Sequence, residues 1–229
     1  ICGIAPEIDF APADLTRFDD VELIQADYEQ RCDNAYIDTY AIHHPAEPST
    51  SPRGVRLSPF YDEQEKLGAA FFDTSGWERP RWFESNAGLL TGLSVPARDS
   101  WSSKFWSPIA GAEHLKTREI AGVFDMTSLR RINVTGSDAP KFLNYAAARN
   151  VARGTGTVTY TMLLDNNGGI VSDVTISQLS ENRFFIGGNS PRDVVWLKSI
   201  SAGYDVHIED VTNATTCIAV WGPQAREIL

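Results

Sequence analysis

The 229-residue chain lacks several features that would place it in a specialised class of protein. It has no uninterrupted apolar run approaching the roughly 18 residues of a membrane span, so no transmembrane helix is expected. Its 17 Gly and 12 Pro fall short of a low-complexity composition. The 11 Phe, 7 Tyr and 6 Trp supply bulky side chains that disordered chains lack. A globular protein of one or two domains is therefore expected.

Cysteine is also scarce. Cys2, Cys32 and Cys217 are odd in number, far apart and outside any CxxC pair, which argues against a disulfide scaffold and a zinc site. The four histidines lack metal-ligand spacing, so no metal is predicted. The chain also lacks an initiator Met and the basic and apolar regions of a secretory signal, so we expect it to be a piece of a longer protein.

Negative charge is concentrated in the first fifty residues, which we call the acidic leader. The leader holds eleven acids and two bases, a net charge of −9, whereas the remaining residues hold 19 acids and 18 bases. Neither part offers the basic surface that duplex nucleic acid requires. No nucleic-acid partner is therefore expected.

A proline-rich loop divides the leader from the rest of the chain. Residues 43–52 contain three prolines and predict a linker. Before the loop, apolar residues at helical spacing predict a helix within residues 20–40. After it, a Ser-Pro pair and a run of acids predict a helix from about 59 to 67. The Trp-rich stretch 71–106 lacks clean periodicity, which favours irregular structure lying over a core.

Beyond this stretch, helical and strand patterns alternate. Helices are predicted at 111–121, from 139 with Ala139, Phe142, Leu143 and Ala146 on one side, at 191–201 and from 225. A short apolar stretch covers residues 123–126, and strands are predicted at 131–135, 157–164, 170–177, 183–186, 206–208 and 217–221. The Asn- and Gly-rich residues 165–169 favour a hairpin between two of these strands. The pattern as a whole favours an α+β fold with an antiparallel sheet.

Two polar residues of the predicted hairpin are candidates for function. Strand alternation puts Asp173 on one face, which is either a solvated polar face or the wall of a cleft where a carboxylate binds an amine or transfers a proton. Tyr160 is either a core tyrosine with a bonded hydroxyl or one wall of an aromatic slot for a flat ligand. No glycine cluster has the spacing of a dinucleotide fingerprint, so no nucleotide site is expected in this piece.

Eight short motifs occur in a fixed order along the chain. They are Gly76-Trp77-Glu78-Arg79-Pro80, Trp82-Phe83, Glu113-His114-Leu115, Arg118-Glu119, Phe124-Asp125-Met126-Thr127-Ser128, Val134-Thr135-Gly136, Tyr160-Thr161-Met162-Leu163 and Gly168-Gly169-Ile170-Val171-Ser172-Asp173. This series resembles the folate-binding half of the dimethylglycine and sarcosine dehydrogenase/oxidase family, which is related to the glycine-cleavage aminomethyltransferase. The leader segment Tyr-Ala-Ile-His-His-Pro resembles the tail of that family's flavin domain.

The resemblance implies a domain organisation and a reaction. Residues 1–52 would be the tail of an FAD-dependent oxidoreductase domain with its linker, and residues 53–229 a truncated aminomethyltransferase-like folate-binding domain. A small N-methylated amine would be oxidised at an FAD held outside this chain. Tetrahydrofolate would then capture the oxidised methyl group as 5,10-methylenetetrahydrofolate.

The same resemblance implies the partners and the location of the protein. The partners would be the flavin half and the C-terminal barrel of the same enzyme, without which this fragment is expected to be inactive. The enzyme would be cytoplasmic, or in the mitochondrial matrix of a eukaryote. A membrane partner is not expected.

Site residues follow from the resemblance, motif by motif. Asp173 corresponds to the carboxylate that faces the folate N10 region and assists methylene transfer. The cofactor-binding candidates are Tyr160, Met126, Leu129, Gly187 and Asn189. Two alternatives stay open: a stand-alone tetrahydrofolate-dependent aminomethyl or methyl transferase, and a non-catalytic folate-binding protein of the same fold. The leader argues against the first alternative, and the retained Asp173 against the second.

Overall fold

A computed structural model describes residues 25–229, with side chains from Glu29 onward. The helices of this part are α1 (Gln25–Asp38), α2 (Tyr61–Lys66), α3 (Pro108–Glu119), α4 (Ala139–Ala146), α5 (Pro191–Ser199) and α6 (Ala225–Ile228). The strands are β1 (Ala69–Thr74), β2 (Trp77–Phe83), β3 (Gly122–Asp125), β4 (Arg130–Thr135), β5 (Val158–Leu164), β6 (Ile170–Ser180), β7 (Arg183–Gly188), β8 (His207–Asp210) and β9 (Ile218–Trp221). Short 3₁₀ helices cover Glu84–Leu90 and Thr212–Ala214.

The chain divides into two compact units, each with its own elements. One comprises residues Leu129–Thr215, and the described part of the other comprises residues 25–128 and Thr216–Leu229. The first unit is built on a five-stranded antiparallel sheet with the strand order β5-β6-β7-β4-β8. Helix α4 connects β4 to β5, and α5 connects β7 to β8. This architecture confirms the predicted α+β fold.

The core of the Leu129–Thr215 unit lies between the sheet and its helices. Its fully buried side chains include Ile132, Val134, Phe142, Leu143, Leu163, Val174, Ile176, Phe184, Ile186 and Leu197. Helix α4 contributes the four apolar residues that the sequence places on one side, and all four are buried. Because their spacing of three and four residues follows the helical period, one face of the helix supplies the core.

The β5–β6 hairpin forms as predicted, around a turn that its own side chain stabilises. Asp165 accepts hydrogen bonds from the backbone N–H groups of Asn167 (2.8 Å) and Gly169 (2.7 Å). Gly168 has a φ of +81°, in the left-handed region where a Cβ is unfavourable. An Asp at the start of this turn and glycines at its end therefore fix the connection.

The inner face of β5 is the polar one. Thr159 and Thr161 are buried, whereas Tyr160 is 53% exposed. The interpretation of Tyr160 as a core tyrosine is therefore wrong. Sequence alternation predicts which residues share a face, but a threonine can be buried when its hydroxyl is hydrogen-bonded, as that of Thr159 is by Arg153, so the pattern does not tell which face points inward.

The first part of the Trp-rich stretch is regular, contrary to the sequence-based expectation. Strands β1 and β2 form an antiparallel hairpin in which Phe71 lies opposite Pro80, and the 3₁₀ helix follows directly. Every residue of β1 is half-buried, so the strand shows no alternation between a buried and an exposed face. Pro80 is tolerated because this sheet has two strands in the described part of the chain, and each is an edge strand.

Two helix starts differ from prediction. Helix α2 begins at Tyr61, two residues later than predicted, because the Ser58 carbonyl accepts the Tyr61 N–H in a turn before the helix. Helix α3 begins at Pro108, three residues earlier than predicted. Its N-cap is Ser107, whose hydroxyl accepts the N–H of Ile109 at 3.2 Å. The Ser-Pro start signal was thus present in the sequence at this position.

Strands β3 and β9 form a two-stranded antiparallel sheet from distant parts of the chain. Asp125 lies opposite Ile218, and just beyond the ladder the Met126 N–H donates to the Cys217 carbonyl at 2.9 Å. Residues Thr127 and Cys217, which are hydrogen-bonded, lie 90 positions apart. The whole Leu129–Thr215 unit lies within this interval of sequence.

Helix α1 lies within the predicted range 20–40, of which residues 20–24 are outside the described part. Arg31 forms a two-bond ion pair with Asp73 of β1, with both N···O distances 3.1 Å. Two of the apolar positions that predicted the helix are exposed: Tyr36 near its C-terminal end is 72% exposed, and Tyr40, which follows the helix, is 80% exposed. The ion pair therefore fastens α1 to the β1–β2 hairpin.

Glu78 is a buried carboxylate whose charge is balanced by Arg53. The Arg53 Nη2 and Nε donate to Glu78 at 2.5 and 2.7 Å, and the Gly54 N–H donates at 2.8 Å. The Arg53 hydrogen bonds lower the pKa of Glu78 from its ordinary value of 4.5, and outweigh burial, which raises it. The ionised form of Glu78 is thus the form that stabilises the fold.

Replacing Glu78 with Gln is expected to lower the free energy of unfolding by about 3 kcal/mol near pH 7, because a buried pair loses one charge. The folded state lowers the pKa, so this stabilisation is present above about pH 4.5 and is lost as the pH falls through the lower folded-state value. Urea unfolding at about pH 7 and about pH 3 measures the difference. Glu63→Gln is the control, because Glu63 is 72% exposed. An E78Q effect equal at both pH values would contradict the prediction.

Candidate functional site

The candidate site lies on the outer face of the five-stranded sheet, where Asp173 is the fourth of the 11 residues of β6. In β6, Ser172, Val174 and Ile176 are buried and Asp173 is exposed, as the predicted alternation requires. Met162 of β5 lies directly opposite Asp173 in the strand register. The Asp173 carboxylate therefore has an apolar neighbour on β5 and open solvent above it.

Two side chains hold the Asp173 carboxylate, one at each oxygen. The Tyr160 hydroxyl donates to Oδ2 at 3.0 Å, and the Asn189 Nδ2 donates to Oδ1 at 3.1 Å. The same Asn189 Nδ2 donates to the Asp173 backbone carbonyl at 2.7 Å. These two hydrogen bonds fix the orientation of the carboxylate. The structure thus brings together Asp173, Tyr160 and Asn189, three of the residues selected from the sequence.

The contact with Asp173 changes the pKa of the Tyr160 hydroxyl. Its hydrogen bond to Asp173 raises the pKa of Tyr160 above the ordinary value of 10.0, with smaller contributions from desolvation and from the carboxylate charge. A phenol that donates to a carboxylate loses that bond when it ionises. Tyr160 therefore stays a hydrogen-bond donor throughout the physiological pH range.

A buried second carboxylate positions Asn189. Asp193, 1% exposed, accepts the N–H of Asn189 at 2.6 Å and the N–H of Ser190 at 3.1 Å. The Ser190–Asp193 capping box at the start of α5 confirms the sequence prediction. The bond to Asn189 was not predicted. The sequence feature that could have indicated this bond is an Asn directly before the N-cap Ser190. The backbone N–H of such a residue has no partner within the helix, and the Asp193 carboxylate can reach it.

Two consecutive glycines end β7 beside this cluster. Gly187 lies opposite Thr175 of β6, and a Cβ added to it would lie 3.9 Å from the Thr175 side chain, which is ordinary contact. A Cβ added to Gly188 would lie 2.6 Å from Asp193 Oδ2. Gly187 therefore keeps the outer face open, whereas Gly188 makes room for the carboxylate that holds Asn189.

Replacing Gly188 with Ala is expected to destabilise the protein by about 1 to 3 kcal/mol, because the new methyl group overlaps the buried Asp193 carboxylate. Gly187→Ala is the matched control, in the same strand and with space for the methyl group. Thermal unfolding of the two variants checks the difference. Equal destabilisation by both substitutions would mean that the Asp193 contact is not the cause.

The remaining predicted residues occupy other positions. The Leu129 carbonyl accepts a hydrogen bond at 2.8 Å from Arg131, a buried side chain that sequence reasoning overlooked. Arg131 also donates to the carbonyls of Thr212 (2.6 Å) and Thr215 (2.9 Å). It thereby anchors the backbone after β8 to β4. Met126 belongs to the other unit, where its N–H donates to the carbonyl of Cys217, the residue before β9.

Among the residues that the structure describes, no group of three or more His, Cys, Asp or Glu side chains could hold a metal ion. No helix in the same part of the chain is long and apolar enough to cross a membrane.

Together, the antiparallel sheet, its two connecting helices and the carboxylate on its outer face define an α+β protein with an aminomethyltransferase-like fold. Comparison with known sequences then gives the family. Residues 60–229 match the family "GCVT N-terminal domain", and the chain belongs to this family. Residues 5–58 match the family "FAD dependent oxidoreductase central domain".

Individual relatives agree with both matches. The 4-methylaminobutanoate oxidase (formaldehyde-forming) of Paenarthrobacter nicotinovorans is 29% identical over 98% of this chain and 27% of its own length. The aminomethyltransferase of Alkaliphilus oremlandii is 28% identical over 76% of this chain and 42% of its own length. The crystal structure of glycine cleavage system aminomethyltransferase T from Bartonella henselae superposes with a TM-score of 0.61 at 28% identity, covering 77% of this chain and 43% of that one. The chain thus spans less than half of each relative.

Proposed function

We propose that this chain is the folate-binding part of an FAD-dependent N-demethylating amine dehydrogenase or oxidase. The observation that carries the proposal is the order of the two family matches, with a flavin-oxidoreductase segment running directly into the GCVT N-terminal domain. The oxidase relative is similar over 98% of the chain, whereas the aminomethyltransferase relative is similar over 76% of it. These alignments favour the oxidase over a stand-alone transferase. The proposed division places residues 1–52 with the flavin domain and 53–229 with the folate-binding domain.

Tetrahydrofolate is the proposed acceptor, and the outer face of the sheet fits it. When bound, tetrahydrofolate supplies the amines that take up the one-carbon unit. An amine N–H needs a hydrogen-bond acceptor, and the exposed Asp173 carboxylate is one. Beside it, Gly187 leaves the sheet face open and Tyr160 offers an aromatic ring for a flat ligand. Asn189 is proposed as a further binding residue, as are Met126 and Leu129.

Asp173 is the proposed catalytic residue, because amines that form new bonds to carbon must lose protons. Its two oxygens are oriented by Tyr160 and Asn189, so the carboxylate can receive a proton without first changing its rotamer. This prepared acceptor also argues against a non-catalytic folate-binding protein. No described residue is assigned to FAD, which the proposal places in a region outside this chain.

The substrate is proposed to be a small N-methylated amine of the dimethylglycine or sarcosine type, and the product 5,10-methylenetetrahydrofolate. The test uses the full-length enzyme with amine, tetrahydrofolate and a formaldehyde-consuming dehydrogenase. Free formaldehyde condenses with tetrahydrofolate without an enzyme, so the scavenger must be present. Product that forms despite the scavenger supports transfer within the protein. Complete interception of the one-carbon unit by the scavenger would overturn the proposed folate capture.

A further inference from the structure

A cleft is present within the unit that contains helix α3, and none of the residues assigned above lines it. It has a volume of about 460 Å³ and lies between residues 94–98 and helix α3. This is within the range of small-molecule sites, roughly 300–1,000 Å³. The segment 91–107 that forms one side has 17 residues without helix or strand. Structureless connections of this length are uncommon in compact domains and are usually functional.

The walls of the cleft are apolar and closely packed at their base. Gly111, His114 and Leu115 lie at helical spacing on the α3 face that lines the cleft. A Cβ added to Gly111 would lie 2.5 Å from the side chain of Val95 and 3.6 Å from the Trp106 ring. The glycine therefore lets the 94–98 segment approach the helix and form the floor, with Val95, Trp106 and Leu115 as apolar contacts.

One cation is held in place at this cleft. The Arg98 guanidinium lies 4.3 Å from the centroid of the Trp106 ring. Within the part of the chain that the structure describes, no carboxylate lies within ion-pair distance of Arg98, and His114 has no hydrogen-bond partner. A guanidinium stacked on an aromatic ring keeps its N–H groups free for a planar anion.

The acids next to these two residues in sequence have other partners. Asp99 accepts hydrogen bonds from the N–H groups of Trp101 and Ser102 and from the Ser102 hydroxyl. These bonds lower the pKa of Asp99, the Ser102 hydroxyl contributing most. Glu113 accepts from the Phe83 N–H and the Asn86 amide. Both carboxylates are oriented by these groups, so neither forms an ion pair with Arg98.

We propose that this cleft binds a small amphipathic carboxylate. The apolar or aromatic body of the ligand would contact Val95, Trp106 and Leu115, and its carboxylate would accept hydrogen bonds from Arg98 and His114. Arginine forms two parallel hydrogen bonds with a carboxylate, which gives such a site both affinity and selectivity for planar anions. The inference is independent of the proposed folate chemistry.

The test compares 3-phenylpropionate with its uncharged amide, 3-phenylpropanamide, in ligand-detected NMR and calorimetric titrations of the full-length protein. We expect the amide to bind about tenfold more weakly, and Arg98→Gln to weaken phenylpropionate about tenfold while leaving the amide unchanged. Arg183→Gln is the control, because it removes an equal charge from an exposed position in the Leu129–Thr215 unit. Carboxylate sites in the flavin half would be unaffected by R98Q.

Three results would overturn the proposal. They are the absence of phenylpropionate binding, equal affinity for the acid and the amide, and losses in R183Q as large as those in R98Q. Saturation transfer from the protein to the phenylpropionate ring that is unchanged in R98Q would show that the ligand binds elsewhere. That result would also overturn the proposal.

Discussion

Asp173→Asn is expected to lower the rate of 5,10-methylenetetrahydrofolate formation by about a hundredfold or more in the full-length enzyme, since general base catalysis contributes factors of that size. The substitution keeps the shape of the side chain. The Tyr160 hydroxyl can rotate to accept a hydrogen bond from the new amide, and Asn189 can still donate to the amide oxygen. The loss should therefore report the missing charge rather than a disturbed sheet.

Two measurements check this prediction. One is the initial rate of 5,10-methylenetetrahydrofolate formation in the presence of the formaldehyde scavenger, and the other is the rate of flavin reduction by the amine. Flavin reduction should be unchanged, because it takes place in the other half of the proposed enzyme. Glu181→Gln is a suitable control, since Glu181 is an exposed acid in the turn after β6. An unchanged yield of methylenetetrahydrofolate in D173N would remove Asp173 from the catalytic role.

Leu143→Ala is expected to destabilise the protein by about 2 to 5 kcal/mol, the range for leucine truncation in a packed core. Leu143 of α4 is fully buried between the helix and the sheet, so the substitution leaves a cavity. Leu179→Ala removes the same atoms from a side chain that is 45% exposed, and should cost less than about 1 kcal/mol. Midpoints and slopes of urea unfolding measure both. Similar losses in the two variants would contradict the assigned core.

The local sequence pattern was sufficient to predict elements whose two faces differ in polarity or whose ends carry a capping residue. Helix α4, the β5–β6 hairpin and the capping box of α5 are of this kind. The β1–β2 hairpin was not predictable in the same way. Both of its strands are edge strands, and neither alternates between buried and exposed residues, because β1 is half-buried throughout and β2 is buried at Trp77 and Glu78 and half-buried beyond them. The hydrophobic pattern therefore gave no strand period, and a Pro such as Pro80 is unusual within a strand.

The candidate site was predictable in part. The hairpin register brings Asp173 and Tyr160 within reach of each other, and both lie in one continuous stretch of sequence. The contact from Asn189 depends on β7 pairing beside β6, a tertiary arrangement that spacing along the chain does not give. The position of Asn189 further depends on the buried Asp193. The cleft at α3 was missed because its cation and its aromatic ring lie in a segment without periodicity.

The β3–β9 pairing makes the two units dependent on each other during folding. Its hydrogen-bonded residues Thr127 and Cys217 are 90 positions apart, and closing a disordered loop of that length costs about 4 kcal/mol of chain entropy. Once the Leu129–Thr215 unit has folded, most of that loop is already compact and the cost falls. Four-residue strands gain little on their own, so β3 and β9 should pair late, after the sheet between them has formed. A substitution that leaves a cavity in the core of the Leu129–Thr215 unit would then also weaken the pairing of β3 with β9.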